Sequence, residues 1–153
     1  MKKSYDYFKN IKILSECINS TTAKIYNGVD YKKEVLTFKG VKNEIIEYLK
    51  NDFITPVDRG DIFILLTLLE KELSLLERYK NSIDKNISDL IIKQNKSLKK
   101  LNSSKDYLSV FNSCAENVLS INNQMKNNGL NYELLNCILD VNINLQRVMI
   151  NNI

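Results

Sequence analysis

Phe53-Ile54-Thr55-Pro56-Val57-Asp58-Arg59-Gly60-Asp61-Ile62 holds the single proline of the chain and separates two apolar segments of different character. The segment before it is amphipathic, and the segment after it is the most hydrophobic in the protein. The pattern predicts a helix start here, with Thr55 as N-cap, Pro56 at the first helical position and Asp58 at the third. A short acid in that place favours the positive end of the helix dipole. The stretch therefore reads as a hinge between two helices.

Working back from the hinge, Asp30 is the expected N-cap of a helix over about Tyr31 to Asp52, with Val35, Phe38, Val41, Ile45 and Leu49 on its apolar face. Gly40 lies inside it, as a close backbone approach or as simple drift. The first helix is expected from about Tyr5 to Asn27. Phe8, Ile11, Leu14, Ile18 and Ile25 form its face, Thr21 and Thr22 fill a gap, and Asn27-Gly28 is the stop.

Working forward, Ile62, Phe63, Leu65, Leu66, Leu68, Leu69, Leu73, Leu76 and Tyr79 cover most of a third helix, which should be central. Two continuations are open: a break near Ser82, or one helix running to about Lys100. Lys93, Lys96, Lys99 and Lys100 make a basic helical patch, read as a solvated face or a meeting point for an acidic partner or anionic lipid. Leu101 to Ser104 is a turn, with Ser103 and Asp106 as a weak capping box. A helix over about Lys105 to Lys126 presents Leu108, Phe111, Cys114, Ala115, Val118, Ile121 and Met125. Asn127-Asn128-Gly129 ends it. Asn131 is the expected cap of a last helix, about Tyr132 to Asn151, with Leu134, Ile138, Val141, Leu145 and Val148 inward.

The sum is an all-α protein, an antiparallel bundle of five or six helices. The 153 residues suit one domain, in halves of about 5–82 and 83–153. From Asp106 onward charges are sparse and asparagine takes the polar positions. Asparagine forms helices poorly, so this half is expected to be the more mobile.

Composition excludes several function classes. There is no histidine or tryptophan, which removes Ser-His-Asp and Cys-His catalysis and histidine-ligated metals. No glycine-rich phosphate loop or pair of catalytic acids is identifiable, and Tyr48 and Tyr79 sit at core spacing. A net charge of +4, with lysine spread along helices and little arginine, does not point to nucleic acid. Cys17, Cys114 and Cys137 are far apart in apolar segments and read as buried, reduced thiols of a cytoplasmic protein. No signal-peptide core follows the basic start, and Ile62 to Leu69 is too short to span a bilayer, so an integral membrane protein is not expected.

Phe53, the Thr55-Pro56 pair and the run Asp58-Arg59-Gly60-Asp61-Ile62 also resemble the hinge of the PhoU-like family of phosphate transport regulators. There a phenylalanine, Thr-Pro and Asp-Arg-Glu-Asp-Ile recur. The resemblance is best from about Glu44 to Glu77 and extends weakly over most of the chain. It implies two three-helix repeats, with carboxylates on the helices flanking the hinge holding a multinuclear metal cluster. This sequence departs at those positions. The ligand places fall on Val35 and Lys39, then Glu70, Lys71 and Ser74. In the second half they fall on Ser113 and Asn117, then Leu139, Asp140 and Ile143. A lysine among ligands repels a cation. The resemblance thus implies a degenerate member that keeps the scaffold and lacks the metal, with no cofactor.

A shifted register leaves Glu44, Glu47 and Glu70, with Glu77, as alternative carboxylate ligands for metal or phosphate. The plainer reading is an acidic face balanced by Lys42, Lys50 and Lys71. Asp58, Arg59 and Asp61 likewise read either as cap and local ion pair or as a recognition surface. Arg59-Gly60-Asp61 spells an adhesion tripeptide, discounted because it falls in a helix's first turn. The resemblance implies a non-enzymatic regulatory or adaptor protein. It would dock a helical face onto a membrane phosphate transporter from the cytoplasmic side, or onto a signalling protein. The charge-poor last helix also offers a face for homodimerisation.

Overall fold

A computed structural model describes residues 5–101, 107–127 and 131–151. They form six helices: α1 Tyr7–Tyr26, α2 Lys32–Asn51, α3 Arg59–Arg78, α4 Lys85–Lys99, α5 Tyr107–Asn127 and α6 Tyr132–Asn151. There is no strand among the described residues.

Local chemistry sets most helix ends. Asp6 caps α1 by accepting from the Lys9 N–H. The C-terminus of α1 closes with Gly28 at φ 69°, where the Gly28 and Val29 amides donate to the Ile25 and Lys24 carbonyls. That crossed pair is the Schellman arrangement, and its positive φ suits glycine. At α2 the cap position is Tyr31, which makes no side-chain bond; Asp30 instead accepts from the Lys32 amide one residue outside the helix. Of the two continuations open after α3, the break near Ser82 is the one observed. A single 3-10 turn, Lys80–Ser82, follows α3, and Asp84 caps α4 by accepting from the Ile87 amide. Asn131, the residue expected to cap α6, is buried; its carbonyl accepts from the Leu135 amide and its side-chain amide donates to the Ser82 carbonyl. The turn after Leu101, the Ser103–Asp106 capping box and the Asn128-Gly129 stop lie outside the described residues.

Side-chain pairs show the helices running up and down. Tyr7 meets Asp52 and Lys24 meets Glu34, so α1 and α2 are antiparallel. Asn151 reaches Asp61 while Glu133 takes bonds from Arg78 and Tyr79, so α3 and α6 are antiparallel too. Asn117–Asn142 and Gln146–Phe111 bonds do the same for α5 and α6. Four helices make the centre: α1 packs on α4, α3 packs on α6, and both α3 and α4 also touch α1 and α6. The middle helix of each half lies outside them, α2 chiefly on α1 and α5 on α6 and α4.

The core follows the helical period. Leu14, Ile18, Phe38, Ile45, Leu66, Leu69, Leu76, Ile91, Ile138 and Leu145 are all fully buried. Thr21 and Thr22 belong to the buried face of α1. Three expectations fail. Leu108 is exposed and Val110 takes the buried place; Tyr48 is exposed; and Phe63 of the nearly all-apolar α3 faces outward, as does its neighbour Ile64. Gly40 is exposed and a Cβ there would meet nothing within 4 Å, so no close approach requires it.

Candidate functional site

The hinge between α2 and α3 is built from its polar groups. Asp58, rather than Thr55, is the N-cap of α3, accepting from the Gly60 and Asp61 amides at 2.8 and 3.3 Å. Pro56 consequently lies outside the helix. A Cβ at position 60 would sit 2.9 Å from the Asp58 Oδ1, so glycine lets the carboxylate close on the helix start. Thr55 Oγ1 donates to the Val57 carbonyl at 2.6 Å, and Val57 is buried. Arg59 turns back to α2. Its two terminal nitrogens donate to the carbonyls of Leu49 at 2.6 Å and Asp52 at 2.7 Å. These are carbonyls a helix end otherwise leaves without partners. Arg59 thus bonds backbone, and the expected ion pair with a neighbouring acid is not what holds it.

The hinge is also tied to the rest of the bundle. Asp52 accepts from the Tyr7 hydroxyl at 2.7 Å. Tyr5 stacks on Tyr48 with ring centroids 3.8 Å apart. Asp61 is buried and accepts from Asn151 at 3.4 Å, which removes the Arg59-Gly60-Asp61 tripeptide from display. From this fixed frame Phe53 and Ile54 project into solvent, 97% and 82% exposed. Phe63 and Ile64 are exposed one turn into α3, and Ile150 at the adjoining end of α6. Phe53 belongs to the stretch that carries the family resemblance, and its near-complete exposure is visible only in the structure.

The shifted carboxylate set does not assemble. Glu44, Glu47 and Glu70 are exposed, and Glu70 is paired with Lys42 of α2. Among the described residues no group of three or more Cys, Asp or Glu is placed to hold a metal ion. Lys93, Lys96, Lys99 and Lys100 lie on the exposed side of α4.

A second polar constellation lies inside the bundle. Glu72 of α3 has no exposed surface, and its two oxygens accept from Gln94 Nε2 of α4 at 2.7 and 2.9 Å. Burial pushes its carboxyl up to about 7, and the Gln94 bond opposes that only in part. Next along α4, Asn95 accepts from the Ser15 hydroxyl of α1 at 2.7 Å. Ser97 is 2.6 Å from Ser113 of α5, and Asn117 donates to Ser97 and to Asn142 of α6 at 3.2 and 3.0 Å. Ser113 and Asn117 are positions where the resemblance implied metal-binding acids; here they form a neutral network. Of the asparagines that take the polar positions of the second half, Asn117, Asn142 and Asn144 are buried.

Glu72 and Gln94 are not among the residues that the sequence pattern singled out as candidates. The signal was present: Glu72 falls on the stripe Leu65, Leu69, Leu76, and Gln94 on the stripe Ile87, Ile91, Leu98, so each interrupts an apolar face. The thiols are all free and buried. Burial raises Cys114 to about 11 and Cys137 to about 12, well above the range where a thiolate forms at neutral pH.

No protein-family model, no curated protein and no solved structure matches this chain. Among the described residues, no helix is long and apolar enough to cross a membrane.

Proposed function

We propose that this chain is a non-enzymatic adaptor that docks a protein partner through the hinge end of its bundle. The observation that carries this reading is the exposed Phe53-Ile54 pair, held outward by a hinge whose polar groups are satisfied internally. Burying a phenylalanine or isoleucine against a partner contributes roughly 1.5–3 kcal/mol each. Side chains already positioned lose little freedom on binding. Phe63, Ile64 and Ile150 are further exposed apolar side chains, in the first turns of α3 and near the end of α6. The raised thiols of Cys114 and Cys137 leave no activated cysteine at either position. On the PhoU-like resemblance, the partner is a cytoplasmic surface of a phosphate transporter or a signalling protein.

The test is affinity capture from the native cells with two baits, wild type and the Phe53→Ser, Ile54→Ser double variant. A transporter or sensor polypeptide enriched by wild type and lost by a folded variant supports the reading. Identical captures from both baits would sink it. Glu44, Glu47 and Glu70 support no second reading, since they remain on the surface and Glu70 is engaged by Lys42.

A further inference from the structure

We infer that Glu72 is a proton-operated lock in the bundle interior, closed when its carboxyl is neutral and loosened when it ionises. The geometry begins with position. The α3 and α4 helices follow one another in sequence, yet each packs on α1 and α6 rather than side by side. Glu72 and Gln94 reach across the space between them and meet where neither is exposed. Their contact is thus a direct tie between the last helix of the first half and the first helix of the second.

Among the described residues, the groups facing this contact supply no positive charge. From α4 the facing group is the uncharged Gln94. From α6 it is the Cys137 thiol, which also feels Glu133 and Asp140 on its own helix and Lys71 beside Glu72. The buried side chains of α1 include Leu14, Ser15 and Ile18, and those of α2 are Phe38, Ile45 and Leu49, all uncharged. Glu72 has no ion-pair partner among the described residues. An ionised carboxylate there has one amide nitrogen as its donor, which is poor compensation for lost hydration.

Hydrogen-bond capacity points the same way. Gln94 Oε1 is buried and has no partner. An ionised Glu72 is an acceptor only and leaves that oxygen unpaired beside a negative charge. A neutral Glu72 carries one O–H. With a modest turn of the amide, that hydroxyl donates to Gln94 Oε1 while Gln94 Nε2 donates to the other carboxyl oxygen. The one-sided contact becomes a reciprocal acid–amide pair, and the orphaned Gln94 oxygen gains a donor.

The direction of the pH effect follows. The carboxyl lies above its ordinary value of 4.5, at about 7, in the folded protein. Between those two values the folded state holds a proton that the unfolded state has released, so stability falls as pH rises. Below that window the contribution is fully present, and above it the loss is complete.

The experiment compares wild type with Glu72→Gln by urea unfolding from pH 5 to pH 9, together with amide hydrogen exchange in α3 and α4. The wild-type folding constant should fall by up to about tenfold per pH unit across the window and then level. Exchange near Leu69–Leu73 and Ile91–Asn95, corrected for intrinsic rates, should accelerate over the same range. In the variant, which keeps an uncharged group of the same shape, both dependences should flatten. Equal pH dependence in the two proteins would overturn the proposal. Because the variant can pair differently with Gln94, carbon-13 NMR of the wild-type glutamate carboxyls gives an independent reading. One carboxyl titrating near neutrality supports the lock; all of them titrating in the ordinary carboxyl range overturns it.

Discussion

At the α2–α3 hinge Phe53 and Ile54 face water, while further along α3 Glu72 sits among apolar side chains with no exposure. The usual partition is reversed at both places, and the two reversals have different energetics. An exposed phenylalanine merely forgoes the gain from burial. A buried carboxyl carries a desolvation penalty that its neighbours must offset. The hinge therefore needs only a sound backbone, which Asp58 and Arg59 supply. The interior needs partners for its side chains, which Gln94, Ser97, Asn117 and Asn142 supply. Changes at the two regions should separate accordingly: interior substitutions alter stability and its pH dependence, and hinge-surface substitutions alter binding alone.

The largest effect that would sharpen this contrast is at Gln94. Gln94→Leu removes the only donor to Glu72 among the described residues and should lower stability at pH 8 by about 3 kcal/mol, the scale for stranding one member of a buried charged contact. At pH 5 the acid is neutral and the loss should be smaller, so urea midpoints at the two pH values give the check. A loss independent of pH would show that Glu72 is not ionised in that range.

Asn117→Leu comes next. It strands the Asn142 oxygen, while Ser97 keeps its contact with Ser113, and should lower stability by about 2 kcal/mol with little change between pH 5 and pH 8. Thermal unfolding at both values tests whether the neutral network behaves differently from the Glu72 contact. At the hinge, Asp58→Ala removes the α3 cap and should lower stability by about 1 kcal/mol. A loss as large as that of Gln94→Leu would mean that the hinge carries the fold as much as the interior does.

The smallest stability effect belongs to the Phe53→Ser, Ile54→Ser double variant. Both side chains are outside, so the unfolding midpoint should move by no more than about 0.5 kcal/mol equivalent while partner capture is lost. A drop of several kcal/mol would break the comparison, because it would place these side chains in the core.

The helices were legible from their apolar period. The last helix agrees with its expected span, and the stop at Gly28 follows from one residue type suited to positive φ. The hinge was legible as a place but not in its mechanics. Thr55, Pro56 and Asp58 are all reasonable helix starters, and the choice of Asp58 depended on where its carboxylate meets the Gly60 and Asp61 amides. Phe63, Ile64 and Leu108 show the limit of the apolar pattern: hydrophobicity marks what a helix is able to bury, and the neighbours decide what it does bury.

By itself the sequence determined that this protein is a bundle of helices with short breaks, because helix period, caps and breakers act over a few residues. It also determined that the cysteines lie on apolar faces, since they share the local spacing. Only the tertiary structure decided that Glu72 meets Gln94 across the bundle, that Asn117 and Asn142 bond inside it, and that Phe53 and Ile54 stand outside it. Those outcomes depend on which helix lies opposite which. That is set by packing among residues distant in the chain, to which a local pattern carries no address.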